Sequence, residues 1–283
     1  MILAQALQQS AHTLSLNGID DSHTEARMLL GHITKLSPVQ IYTQPERTLS
    51  QEQESNLQEL VERRLCHEPA AYIVNHREFY GIDFYVDSRV LVPRPETELL
   101  VDTAIEFASS TYLARPLLIA DIGTGCGAIA VSLALNLPHS QIYATDVSPL
   151  ALEVARLNCK SHNVTDRIIL LQGNLLEPLP ESVDILVANL PYIKSSELAN
   201  LSPEIIQFEP RIAIDGGENG LDYIRQLLEQ AEGRINTNGC ILLEIGQNQE
   251  KDLSNLIRSL LKKVNFVFIS DLNGIKRVVK IDV

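Results

Sequence analysis

Apolar positions along the chain keep two different periods. Over the first seventy-odd residues the spacing is helical. Ser22 and Glu25 form a capping-box pair, and Ala26, Leu29, Leu30 and Ile33 then recur on one face. Ser37-Pro38 places a cap and a first-turn proline ahead of Val39, Ile41 and Tyr42. Ser50 and Gln53 form a second box before Leu57, Leu60, Val61 and Leu65. The pattern predicts a small helical bundle over residues 1–75. From Ala71 to Val92 it changes to short β-rich runs, Phe79-Tyr80-Gly81 and Phe84-Tyr85-Val86, parted by turn-prone Gly81 and Asp83. A β-hairpin over 76–93 is expected to link the bundle to the rest.

Beyond Pro93 and Pro95 a helix is expected from about Glu96, carrying Leu99, Leu100, Ala104 and Ile105. Strands and helices then alternate. Leu117–Ala120, Ile142–Ala144, Ile168–Leu171, Ile185–Ala188 and Cys240–Leu243 are near-continuous apolar runs, as a parallel sheet covered on both faces requires. Phe266–Ile269 and Arg277–Ile281, joined at Asn273-Gly274, bring the number to seven. Residues 94–283 therefore read as a doubly wound α/β domain.

Formal net charge is −13. Proteins that grip phosphates usually present a basic face, and the doublets here, Arg63-Arg64 and Lys262-Lys263, sit in patterns typical of solvated helix faces. The balance favours a protein or small-molecule partner and no direct nucleic-acid binding. The cysteines, Cys66, Cys126, Cys159 and Cys240, form no Cys-x-x-Cys pair, and no helix carries a His-Glu-x-x-His pattern, so no metal is expected. No apolar run is long enough to span a bilayer, and Met1 to Leu16 lacks the marks of a presequence. A cytoplasmic monomer is the expectation.

Two segments carry chemistry. Asp121-Ile122-Gly123-Thr124-Gly125-Cys126-Gly127 follows the first long strand and opens a helix from Ala128 to Leu135. Glycines there let the backbone turn tightly and approach a ligand, with helix N–H groups behind them. The Gly-x-Gly-x-Gly spacing and the acidic Asp121 before the loop favour S-adenosyl-L-methionine over a dinucleotide. Asp146, nineteen positions after Gly127, ends the second strand, where a carboxylate can accept both ribose hydroxyls. A helix N-cap before Pro149 is its alternative role, as a turn carboxylate is for Asp121. Asn174 is placed to pair with adenine N6 and Leu175 to cover the ring, although Asn beside Gly173 is also an ordinary turn residue.

The second segment, Asn189-Leu190-Pro191-Tyr192, ends the fourth strand. An amide nitrogen is a poor nucleophile because its lone pair is delocalised. To attack a methyl sulfonium it must be held in line, with its N–H groups on acceptors that stabilise the developing positive charge. The Asn189 side-chain oxygen and the Leu190 carbonyl are two such acceptors. Pro191 stiffens the turn, and Tyr192 offers a ring face to a planar group. A capping Asn and a core Tyr in a plain strand-ending turn is the alternative.

The tetrapeptide resembles those of class I methyltransferases acting on exocyclic or amide nitrogens, whose usual motif is Asn-Pro-Pro-Tyr. Leu190 departs from it, and Asn-Leu-Pro-Tyr also marks the rRNA adenine dimethyltransferases. The flanks are more specific. Glu68-Pro69-Ala70-Ala71-Tyr72-Ile73, Glu78-Phe79-Tyr80-Gly81 and the run from Val90 to Glu98 around Pro93-Arg94-Pro95-Glu96 look like the release-factor glutamine N5-methyltransferases, the PrmC/HemK family. So do Phe208-Glu209-Pro210-Arg211 through Gly217, Glu244-Ile245-Gly246 and Gly274 to Val279. The resemblance implies a seven-stranded Rossmann-like methyltransferase fold. It also implies methyl transfer to the glutamine of a Gly-Gly-Gln loop in class 1 peptide-chain release factors. Gly123 to Gly127, Asp146 and Asn189 would contact the cofactor, and Asn189, Leu190, Pro191 and Tyr192 the glutamine. Pro93-Arg94-Pro95-Glu96 would border the site, unless Arg94 simply pairs with an acidic neighbour. Competing readings are an amino-methyltransferase of adenine N6 in RNA or DNA, a glutamine methyltransferase of a ribosomal protein, and a non-catalytic cofactor-binding module.

Overall fold

The computed structural model describes residues 1–111, 116–262 and 264–283. Lys263, half of one basic doublet, lies outside them. The chain divides into two compact units, residues 1–76 with 202–208, and residues 77–201 with 209–283. No helix among the described residues is long and apolar enough to cross a membrane.

The first unit is helical: α1 (Leu3–Leu16), α2 (Ser22–Thr34), α3 (Pro38–Thr43), α4 (Gln51–Leu65) and α5 (Ala70–Val74). Leu3, Leu14, Leu29 and Leu30 are wholly enclosed at its centre. Ser37 and Ser50 both make reciprocal capping boxes, with Gln40 and Gln53. Ser22 does not. It is the first residue of α2, whose cap, Asp21, makes no side-chain bond. The partner expected of Ser22, Glu25, is engaged elsewhere, taking the Arg64 guanidinium at 2.6 Å. Arg64 is thus no solvated residue: it is 4% exposed and also meets Glu204 at 2.8 Å. An arginine enclosed this far is retained because two carboxylates neutralise it. Residues 71–74, expected to be β-rich, lie in helix α5, whose residues are all buried, since Pro69 at its cap pre-sets the entry and burial outweighs β propensity.

The second unit opens with a hairpin, β1 (Arg77–Phe79) and β2 (Ile82–Phe84), in which Phe79 faces Ile82 across a two-residue turn. The turn is Tyr80-Gly81, both at positive φ (55° and 68°), and Asp83 lies within β2 rather than in the turn. Both residues left-handed is the turn whose twist matches that of the strands. The chain continues through α6 (Glu98–Thr111), β3 (Leu117–Ile122), α7 (Ala128–Asn136), β4 (Ser140–Asp146), α8 (Pro149–Ser161), β5 (Ile168–Gln172) and β6 (Val183–Ala188). After α9 (Pro203–Phe208), which belongs to the first unit, come α10 (Asp222–Gln230), β7 (Ile235–Glu244), α11 (Glu250–Leu260), β8 (Asn265–Ser270) and β9 (Lys276–Asp282).

Among the described residues the main sheet has seven strands in the order β5-β4-β3-β6-β7-β9-β8, with β3 to β7 parallel and β9 antiparallel to both its neighbours. This is a doubly wound, Rossmann-like sheet, accompanied by a helical N-terminal region. Every residue of β6 and all but one of β3 are buried, which explains their unbroken apolar runs. The chain starts at β3, runs outward to β5, then returns to β6 on the opposite side of β3. Strand order reverses there, and the carboxyl ends of β3 and β6 open a crevice.

The two serines provide a local test. Ser50→Ala should lower stability by about 1 kcal/mol, the usual cost of a lost N-cap. Ser22→Ala should change it by less than about 0.5 kcal/mol, as for a surface site without such a feature. Urea melts of the two variants check this, and an equal loss in both would contradict the observed cap geometry.

Candidate active site

Pairing across the crevice brings the two chemical segments together. Ile122 of β3 lies opposite Ala188 of β6, so Gly123 and Asn189 emerge side by side. Both line one cavity, along with Gly125, Asp146, Leu190 and Pro191. Asn174 and Leu175 form another part of its wall. Thr124, Cys126 and Gly127 do not line it, nor does Tyr192.

The polar interior of the loop is satisfied from the side away from the cavity. Asp121, wholly enclosed, accepts the Thr124 hydroxyl at 2.6 Å and the Ala130 amide at 3.1 Å. Its other oxygen has no hydrogen bond among the described residues. Burial pushes its pKa up to about 7. Asp121 is therefore the turn carboxylate of the two roles open to it, and Thr124 is spent on it. Gly123 and Thr124 both donate to the Thr145 carbonyl at 2.9 Å, tying the loop to β4. Gly125, at φ +56°, has no heavy atom within 4 Å of where a Cβ would stand, so its backbone faces open space.

Asp146 stands at the end of β4. One carboxylate oxygen accepts the Gly125 amide and the other the Ser148 amide, each at 2.9 Å. The cap of α8 is Ser148, whose hydroxyl accepts from Ala151, so Asp146 is not the N-cap. Burial raises the Asp146 pKa. Asn174 donates its side-chain N–H to Glu177 at 3.2 Å, and Leu175 is buried at positive φ (52°).

At the tetrapeptide, Asn189 donates its side-chain N–H to Thr97 Oγ1 at 2.9 Å, which leaves Oδ1 as its acceptor face. Leu190 is 5% exposed and packs its side chain toward Gly123, while its contribution to the expected chemistry is a backbone carbonyl. The turn is backed closely. A Cβ at Gly216 would fall 2.7 Å from the Pro191 carbonyl oxygen and 2.8 Å from Tyr192 Cα. Gln249 donates to the Tyr192 carbonyl at 2.9 Å. The Tyr192 hydroxyl donates to Glu244 Oε1 at 3.3 Å, and burial, followed by the Glu244 charge, pushes the phenol pKa up.

Several participants were not read from the sequence as site residues. Arg89, Val90 and Leu91 line the cavity. Arg89 is held by Asp87 at 2.7 Å and Glu153 at 2.9 Å, and Asn158 ties down the preceding Tyr85 backbone at 2.8 and 3.0 Å and donates to the Cys126 carbonyl at 2.8 Å. Arg94 forms an ion pair with the buried Glu209, the simpler of the two roles considered for it. Thr97 accepts the Asn189 side-chain N–H, and Glu244 accepts the Tyr192 hydroxyl. The one available signal was a carboxylate, Glu244, closing the apolar run Cys240–Leu243.

Residues 5–74 match the family model described as the PrmC N-terminal domain, and residues 101–218 that described as a methyltransferase small domain. Over 261 residues the chain is 39% identical to the release factor glutamine methyltransferase of Moorella thermoacetica, covering 92% of this chain and 91% of that protein. The chain belongs to the release factor glutamine methyltransferase family. A bifunctional methyltransferase of Rickettsia bellii is 35% identical over 88% of this chain, which spans 49% of that longer protein. A solved methyltransferase from Pyrococcus furiosus shares the fold, with a TM-score of 0.51 at 19% identity, covering 72% of this chain and 89% of that one.

Within this methyltransferase, the enclosed Asp121 gives a pH test. Its folded-state pKa stands near 7 against 3.8 for the free group, so the folded state holds the proton more tightly. The resulting stability is complete below about pH 4 and is lost as pH rises toward 7. The thermal midpoint of the ligand-free protein should therefore fall relative to that of Asp121→Asn between pH 4 and pH 7. A constant difference across that range would show that Asp121 is ionised throughout.

Proposed function

We propose that this enzyme transfers a methyl group from S-adenosyl-L-methionine to the side-chain amide nitrogen (N5) of the glutamine in the Gly-Gly-Gln loop of class 1 peptide-chain release factors. The observation that carries this reading is the single cavity bounded by Gly123, Gly125 and Asp146 on one side and Asn189, Leu190 and Pro191 on the other. The chemistry of its wall fits the cofactor. Gly125 leaves room where any side chain would intrude, and Asp146 has lone pairs left for ribose hydroxyls after accepting one amide at each oxygen. Asn174 keeps its amide oxygen for an exocyclic amine, and Leu175 presents an apolar side chain to a ring. Thr124, Cys126 and Gly127 would act through the loop backbone they shape.

Bound S-adenosyl-L-methionine supplies an electrophilic methyl group on a positively charged sulfur. Asn189 Oδ1 and the Leu190 carbonyl accept the two N–H groups of the glutamine amide and hold its nitrogen in line. As positive charge develops on that nitrogen, the same two dipoles stabilise it without reorganising. Pro191 restricts the turn, and Gly216 and Gln249 press on it from behind, so the acceptors stay fixed. Tyr192, anchored through its hydroxyl to Glu244, shapes the pocket for the planar amide. Positioning supplies most of the rate, because the N-alkylated amide is itself a strong acid and needs no strong base. The relatives' substrate, named in the family designation, supports a release factor as partner, and the helical unit is assigned to docking it.

Two variants separate the roles. Asn189→Ala should lower kcat by about a hundredfold, the scale for one lost charge-stabilising group, with cofactor affinity by calorimetry nearly unchanged. Asp146→Ala should instead weaken cofactor binding by roughly tenfold or more. Equal kcat in Asn189→Ala would remove its acceptor role.

The deciding assay combines the purified protein, labelled S-adenosyl-L-methionine and an unmethylated bacterial class 1 release factor. Peptide mass spectrometry should find the methyl group on the Gly-Gly-Gln glutamine. Label on ribosomal RNA or another protein would overturn the substrate.

A further inference from the structure

Residues 85–91 reach the cavity as a strap laid along α8. The Tyr85 backbone exchanges two hydrogen bonds with Asn158, and further along the strap the Arg89 guanidinium meets Glu153 at 2.9 Å. Asn158 and Glu153 are five residues apart on the helix, about 7.5 Å of axial rise, so the strap runs toward the N-terminus of α8. At that end Asp146, Ser148 and Ala151 line the cavity, and Arg89 and the two residues after it line it from the strap. Arg89 is the only basic side chain on the wall among the described residues.

Its guanidinium is held in one orientation. Asp87 accepts from Nε at 2.9 Å and from Nη2 at 2.7 Å, a fork on one edge, and Glu153 accepts from Nη1. Asp87 is itself fixed by the Tyr85 hydroxyl and the Arg89 backbone N–H, each donating at 3.0 Å. The bond from the Arg89 side chain holds Asp87 below the usual carboxylate range. Three of the five guanidinium N–H groups are engaged in this way, and two have no hydrogen bond among the described residues. Two carboxylates against one cation also leave no net positive charge to repel a sulfonium.

We infer that Arg89 is a further cofactor-binding residue, donating to the ribose hydroxyls that Asp146 accepts. This rests on the S-adenosyl-L-methionine reading above. A hydroxyl that gives its proton to Asp146 keeps lone pairs on its oxygen, and enclosed lone pairs need a donor. Asp146 cannot supply one, because a carboxylate only accepts. Arg89 can, since it reaches the same end of the cavity with two N–H groups unengaged. Its orientation is set by Asp87 and Glu153 before a ligand arrives, which lowers the ordering cost of binding. The contact acts on the adenosine half of the cofactor, so adenosine by itself should feel its loss.

Calorimetry of the full-length wild type, Arg89→Ala, Arg89→Met and Glu153→Ala with S-adenosylhomocysteine and with adenosine tests this without turnover. Arg89→Ala and Arg89→Met should each weaken both ligands roughly tenfold, the loss of a hydrogen bond from a charged donor. Arg89→Met keeps an apolar stem on the wall, so wild-type affinity in that variant would overturn the donor role. Glu153→Ala cuts the tie to α8 while Asp87 still holds the fork, and should weaken binding less than about threefold. A loss there equal to that of Arg89→Ala would show that the arginine only ties the strap, which overturns the assignment. A loss confined to S-adenosylhomocysteine would put the contact at the amino-acid end and overturn it too. If wild type binds neither ligand, the cofactor reading falls and this inference with it. If wild type binds both and Arg89→Ala binds them equally well, only the assignment of Arg89 falls.

Discussion

The pairing of Ile122 with Ala188, one register step between two parallel strands, is the contact on which the site depends. Because these strands lie in the middle of the sheet and the chain departs from them in opposite directions, a crevice opens beyond their carboxyl ends. Whatever follows Ile122 and Ala188 must be neighbours there. A slip of one residue would turn every side chain of β6 to the other face, and both faces of that strand are buried. Core packing thus holds the geometry of the chemistry to a fraction of a residue.

Around this crevice, backbone polar groups that leave the sheet are met by side chains from distant elements. Asn158 secures the Tyr85 segment and the Cys126 carbonyl, Gln249 the Tyr192 carbonyl, and Asp121 the start of α7. Each serves groups that would otherwise be enclosed and unpaired. The result is a cavity floor whose backbone is fixed from several distant elements.

Much of the architecture was legible in the sequence because its signals are local. Alternation of apolar strands with amphipathic helices, the glycine loop and Asp146 lie within short spans whose geometry follows from the backbone, and the seven expected strands are all present. The tetrapeptide was legible for the same reason. Thr97, Asn158 and Gln249 were not, since each acts on partners tens of residues away; Glu244 was marked only by its place at the end of an apolar run. The errors have the same origin. Glu25 satisfies the local pattern of a capping box yet is claimed by Arg64, thirty-nine positions on, and Ala70 to Val74 are helical because they are enclosed on all sides.

The position of β9 has a consequence of another kind. It follows β8 in the chain but lies between β8 and β7, and β9 is the sheet neighbour of β8. Strand β8 therefore cannot join the sheet on its own; it enters with β9 as a pair or stays out. Loss of residues 276–282 would remove two strands rather than one, and would lay bare β7, whose last residue is Glu244. The outermost strands of the sheet thereby shield the strand that carries Glu244 beneath Tyr192.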